Sequence, residues 1–153
     1  EPGDQQLLVD IDRLMMTAGS VASGTNGPIA HDPVFARKLA SLRLRARAFE
    51  ISELRILAEI AKGRPPGPQT SLVKLFSANL RQELDTLAMD IHGLAGLQLP
   101  AERPLYGNEA PEPVESVEAQ MAAGRYLNSR AWTIFGGSDE VQKNIIAKTV
   151  LGL

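Results

Sequence analysis

Apolar residues recur along this chain at three- and four-residue spacing and almost nowhere in alternation. Between Asp4 and Ala18 they are Leu7, Leu8, Ile11, Leu14 and Met15, which share one face of a helix. Asp4 is placed to cap its start, where a carboxylate accepts the first free amide N–H groups, and Gly19 to end it. The stretch 19–30, GSVASGTNGPIA, lacks any period and reads as a loop. His31-Asp32-Pro33 opens a second helix. Asp32 is a capping residue, and Pro33 takes the first helical position, where its missing N–H costs nothing. The helix is expected to run to Lys62. Leu39, Leu42, Ala46, Phe49, Ile51, Leu54, Leu57, Ala58 and Ala61 form one apolar stripe, against a wet face of arginine, lysine and glutamate. About 30 residues make a rod of about 45 Å, a length that belongs to helix bundles.

The stretch GRPPGPQT (63–70) breaks that helix. A third, about Ser71 to Leu94, carries Leu72, Leu75, Phe76, Leu80, Leu84, Leu87, Ala88 and Ile91 at bundle spacing. A second irregular stretch (96–113) follows, then a fourth helix, about Val114 to Trp132, and a fifth, about Ser138 to Val150. No strand pattern, internal repeat or low-complexity tract stands out. The expected fold is all-α: a four-helix up-and-down bundle with an additional C-terminal helix.

The 153 residues suit one domain. Hydrophobic residues at 44% and charged residues at 22% are ordinary globular values and argue against general disorder. A net charge of -2 offers no basic excess, so no nucleic-acid partner is expected. The absence of cysteine excludes disulfides and thiolate sites and fits a cytoplasmic location. No apolar run approaches the roughly 20 residues of a membrane span. The opening EPGDQQLLVD is not a signal peptide and has no initiator methionine, so the chain is expected to begin inside a longer protein.

Bundles often hold metals through Glu-x-x-His pairs, but Pro28 and Met89 stand three residues before His31 and His92, the only histidines. No metal site is expected. There is no Gly-x-Ser-x-Gly and no phosphate loop. Gly136-Gly137-Ser138 is different. Two glycines permit close backbone approach, and Ser138 can cap the helix behind them, whose first N–H groups suit an anion or a polar cofactor edge. On these residues alone, a capped turn with nothing bound remains the other reading.

The last 25 residues, SRAWTIFGGSDEVQKNIIAKTVLGL, closely resemble the end of acyl-CoA dehydrogenases. Arg130, Ile134, Gly136, Gly137, Glu140, Asn144, Ile145, Ile146, Ala147, Leu151, Gly152 and Leu153 match the family's terminal pattern directly, and Ser138 and Val141 conservatively. Residues 32–97 resemble the two long central helices of the family's C-terminal domain, and 4–19 match more weakly. The resemblance implies that 1–153 is that helical domain, without the N-terminal helical and middle β domains that precede it in the family.

The implied reaction is α,β-dehydrogenation of an acyl-CoA thioester, an oxidoreductase step on a CH–CH bond in fatty-acid or lipid metabolism. A glutamate removes the α-proton and the β-hydrogen leaves as hydride to FAD. Some members place that glutamate where this chain has Gly136, so the terminal segment supplies no catalytic residue. Others place it in an Asp/Asn-Glu-Arg stretch that would fall just before Glu1. Asp10 and Asp12, in IDRL, look superficially similar but lie too late in the helix.

The implied cofactor-binding residues are Gly136, Gly137, Ser138 and Glu140, together with His92 and Gly96. In the family a glutamine stands at the position of His92 and reaches the flavin across a subunit interface. ASGTNGPIA replaces an Arg-x-x-Phe-Gly segment that holds FAD from a neighbour, which implies a partial site. The implied partners are the acyl-CoA, a second copy in a homodimer or tetramer or an unlike dehydrogenase subunit, and an electron-transfer flavoprotein. The chain alone is expected to be inactive. The alternative is a non-enzymatic helical interaction module or a degenerate dehydrogenase-like subunit.

Overall fold

The computed structural model describes residues 5–22, 27–98 and 116–153. They form five α-helices: α1 (Gln5–Ser20), α2 (Pro33–Ala61), α3 (Gln69–His92), α4 (Val117–Ser129) and α5 (Asp139–Ile146). Among the described residues, the only pairing of strand type is an isolated bridge between Ala22 and Pro28. The architecture is the expected bundle with an added C-terminal helix.

Local chemistry sets most boundaries. One oxygen of Asp32 accepts the amides of Val34 at 2.9 Å and Phe35 at 2.8 Å, so α2 starts where its cap dictates. Gly93, at φ 52°, stops α3 two residues before Leu94. Gly19 does not end α1, which continues to Ser20. Ser116 caps α4 by accepting the Ala119 amide at 3.2 Å. That helix stops at Ser129, where the chain tightens into a 3-10 turn over Arg130–Thr133, so Trp132 lies beyond it. Behind α5 the coil widens to a π turn, Ala147–Leu151, closed by Gly152 at φ 69°. The expected Asp4 cap and most of the second irregular stretch lie outside the described residues.

The core is built by three helices. Leu7, Ile11, Leu14 and Ala18 of α1 meet Phe35, Leu39, Leu42, Ala46 and Phe49 of α2 and Leu80, Leu84, Leu87 and Ile91 of α3. On the other side of α3, α4 presents only small buried residues, Ala119, Ala122 and Ala123, which lets the two backbones lie close. The central helix α3 touches all four others.

The stripe expected along the whole of α2 is not buried throughout. Beyond Phe49, Ile51, Leu54, Leu57 and Ile60 are exposed. Among the described residues, the 16 of α1 reach about 24 Å and the 29 of α2 about 43 Å, and α1 covers the first half of its neighbour. The uncovered half of α2 and the start of α3 flank an apolar groove of about 650 Å³, lined by Phe49, Ile56, Ile60, Leu72, Val73 and Phe76. A second, polar cleft of about 750 Å³ lies between α1 and α4 and includes Asp85 and His92 of α3. No helix among the described residues is long and apolar enough to cross a membrane.

Candidate functional site

The Gly136-Gly137-Ser138 turn is hung between two polar anchors on α3. The upstream anchor is a hydrogen-bonded weld at the end of α4. Gln82 Nε2 donates to the Ser129 carbonyl at 3.1 Å. The buried Ser129 hydroxyl donates to the Tyr126 carbonyl at 2.8 Å. Arg130 donates to the Ser129 hydroxyl oxygen at 2.9 Å and to the Gln82 carbonyl at 3.4 Å, and its guanidinium lies 4.5 Å from the Tyr126 ring centre. Half-buried Asp85 adjoins this weld. Burial pushes its carboxyl above the ordinary range, although Arg125, the Ser129 hydroxyl, Arg130 and Arg81 all pull it down. One turn further on, the Arg81 guanidinium stands 5.3 Å from the Trp132 ring centre.

The turn itself needs its glycines. Gly136 has φ 66° and Gly137 φ 90°, a region L side chains rarely enter. A Cβ on Gly137 would also stand 2.7 Å from Gln142 Nε2, which folds back to donate to the Gly136 carbonyl at 3.1 Å. Ser138 then caps α5, its hydroxyl oxygen accepting the Val141 amide at 3.5 Å. The Glu140 carboxyl is held below the ordinary range by its own backbone amide and by the Ser138 hydroxyl.

The downstream anchor is a salt bridge, Lys74 Nζ to Asp139 Oδ1 at 3.0 Å. The helix dipole alone accounts for an acidic residue in the first turn of α5, so Asp139 does not advertise this partner. The pairing joins residues 65 positions apart, but it leaves a trace: Lys74 is the only charged residue between Arg64 and Arg81, set in an otherwise apolar and small-residue run.

These contacts narrow what the turn can hold. The amide of Val141 is engaged by the Ser138 hydroxyl. Asp139 and Glu140 stand at the same end, so a phosphate would meet two carboxylates, one of them neutralised by Lys74. A neutral polar edge with N–H or O–H donors suits the turn instead, through the Glu140 carboxylate. That fits a ribose or a heteroaromatic ring edge of a dinucleotide cofactor better than its diphosphate.

The implied cofactor residues fall into two sets. Gly136, Gly137, Ser138 and Glu140 come together. His92 and Gly96 come together at the other end of α3, about 18 residues and about 27 Å from Lys74. Gly96 is buried in a short 3-10 turn, Ala95–Leu97, where a Cβ would lie 2.9 Å from the His92 Cβ and 3.6 Å from that of Ala122. Packing alone explains this glycine. His92 is half-buried and lines the cleft between α1 and α4. The aspartates of α1 already have partners of their own. Asp10 accepts from Gln6 at 2.8 Å and lies 3.6 Å from Arg13, while exposed Asp12 pairs with Arg43 at 3.1 Å. Among the described residues no group of three or more His, Asp or Glu could hold a metal ion.

Comparison with known proteins agrees with this fold. Residues 9–151 match the family described as "Acyl-CoA dehydrogenase, C-terminal domain", and the chain belongs to that family. Acyl-CoA dehydrogenase IpdE1 of Mycolicibacterium smegmatis is 44% identical over 88 residues, covering 58% of this chain and 18% of that protein. IpdE1 of Mycobacterium tuberculosis is 36% identical over 124 residues, covering 81% of this chain and 28% of that protein. The match to acyl-CoA dehydrogenase FadE34 of M. tuberculosis is 29% identical over 116 residues and covers 14% of that protein. These matches therefore span less than a third of each relative's length. A chain in the crystal structure of the ChsE4-ChsE5 complex from M. tuberculosis shares the fold, with a TM-score of 0.72 at 20% identity, over 96% of this chain and 35% of that one.

Proposed function

We propose that this chain is the assembly-forming helical domain of an acyl-CoA dehydrogenase-like subunit, lending contact surface and one edge of a flavin site while supplying no catalytic residue itself. The observation that carries this reading is the apolar surface left open on α2 and at the C-terminal end. Among the described residues, Ile60, Leu72 and Phe76 are exposed around one groove, Ile51, Leu54 and Leu57 on another face of the same half of α2, and Ile134, Phe135, Leu151 and Leu153 along the last segment. Apolar surface of this extent marks a protein contact. A helix that is apolar on more than one side is normally enclosed. The partner is a second copy or an unlike dehydrogenase subunit. The second is supported by the fold likeness to a chain from a two-component complex.

The missing base supports the non-catalytic role. Gly136 stands where some family members carry the glutamate, and its φ of 66° disfavours any side chain there. Such a domain contributes to dehydrogenation only by binding and orienting.

A second reading, an active FAD-dependent acyl-CoA dehydrogenase whose base lies elsewhere in a longer chain, is favoured by the Ser138–Glu140 arrangement. Bound FAD would accept the hydride in that case. Ser138 and Glu140 would hold a polar edge of it, and His92 and Gly96 would serve a neighbouring subunit's cofactor. The acyl-CoA would be substrate, and an electron-transfer flavoprotein the onward acceptor.

The test is to purify the full natural protein, alone and with candidate dehydrogenase partners, and measure its solution mass and visible spectrum. A dimer or larger assembly that Ile51→Glu/Leu54→Glu dissociates, with helicity kept, is expected. A monomer indifferent to that change overturns the assembly role. An oxidised-flavin band that bleaches with an acyl-CoA would favour the second reading over the first.

A further inference from the structure

The two anchors of the turn differ in kind. Upstream, several hydrogen bonds fix the end of α4 around a buried serine. Downstream, α5 has no buried residue and spans only eight positions. A helix that short does not persist in water unaided. Gly136 and Gly137, adjacent and both at positive φ, form a joint with no side chain of its own, tied back by Gln142 Nε2 on the Gly136 carbonyl. The pair that crosses from α3 to the first residue of α5 is Lys74–Asp139, whose side chains are 20% and 14% exposed. Surface pairs elsewhere are far wetter; Lys38–Asp90, also at 3.0 Å, is 53% and 40% exposed. A partly desolvated pair fixes geometry, and losing one partner leaves the other charge uncompensated.

We propose that Lys74 is a positioning residue for the cofactor edge: through Asp139 it fixes where α5 begins, and so where Ser138 and Glu140 stand. It also cancels the charge of Asp139, leaving Glu140 as the acceptor a donor-bearing ring or ribose would meet. This rests on the flavin-edge reading of the turn.

The test uses the full natural protein, apo and with FAD, as Lys74→Met, Asp139→Asn and Lys74→Arg, with Lys38→Met as a surface control. Amide exchange over 139–146 reports the anchor in apo protein. The fluorescence of added FAD, followed by titration, reports its binding. In Lys74→Met and Asp139→Asn, exchange protection of 139–146 falls about tenfold and FAD binds about tenfold more weakly, as loss of a partly buried partner implies. The helical melt stays that of wild type. Lys74→Arg recovers most of both effects, and Lys38→Met changes neither. Unchanged protection in Lys74→Met overturns the proposal, as does lost protection with unchanged FAD affinity. A wild-type protein that takes no FAD, while Lys74→Met still frees 139–146, sinks the flavin reading and leaves the anchor standing.

Discussion

The two halves of α2 carry the same kind of sequence and end in different surroundings. From Phe35 to Phe49, every third or fourth side chain is sealed against α1 and α3. From Ile51 to Ile60 the apolar spacing continues, but those side chains face water. An apolar stripe records that a surface requires cover, but not which segment provides it. The first half is therefore a statement about folding. The second is a surface that the described residues leave open.

The sharpest way to break that contrast is truncation on each side of it. Leu42, fully buried, should cost about 2–5 kcal/mol as Leu42→Ala. Leu54→Ala, at a side chain 58% exposed, should stay within about 0.5 kcal/mol by urea unfolding of the monomer. Equal costs would mean that the far half is covered within the chain. At the start of the covered half, Asp32→Ala removes the acceptor of two amides and should cost about 0.5–2 kcal/mol by the same measurement.

Acidity separates the carboxyls that lie beside the two anchors of the turn, Asp85 and Glu140. The folded carboxyl of Asp85 lies above its ordinary value of 3.8, so the folded state holds that proton more tightly than the unfolded chain. Its contribution to stability therefore rises as pH falls from the raised value toward 3.8 and is complete below it. Glu140, held low, runs the other way: its contribution is present above the unfolded carboxylate value and is lost as pH falls through the folded one. Urea midpoints from pH 7 to 3 should show a relative gain toward acid in wild type that Asp85→Asn lacks. The smallest expected effect is that of Glu140→Gln, which removes the opposite trend. A wild type and an Asp85→Asn with parallel pH curves would remove burial as the dominant influence on that carboxyl.

Local features were the legible ones. The Asp32 cap, the length of α2 and the left-handed glycines follow from chemistry within a few residues, and so did the choice of bundle. The family resemblance in the last 25 residues carried the rest of the assignment. What periodicity does not encode is which face meets which neighbour, so the stripe beyond Phe49 read as core. Nor does it encode pairings across the fold: Lys74 and Asp139 meet only because α5 returns to the start of α3. The lone lysine in its apolar run was the available hint. The narrowing of the turn from anion to polar edge likewise needed the positions of Asp139 and Glu140 relative to the amides.

The separation of His92 from Lys74, which anchors the start of α5, about 27 Å along α3, would have a thermodynamic consequence for any ligand that used both ends. A ligand shorter than that span engages both sets only by bridging two chains. Its occupancy then obeys mass action in protein as well as in ligand. Dilution alone would empty the site, and a binding curve taken at one protein concentration would not transfer to another.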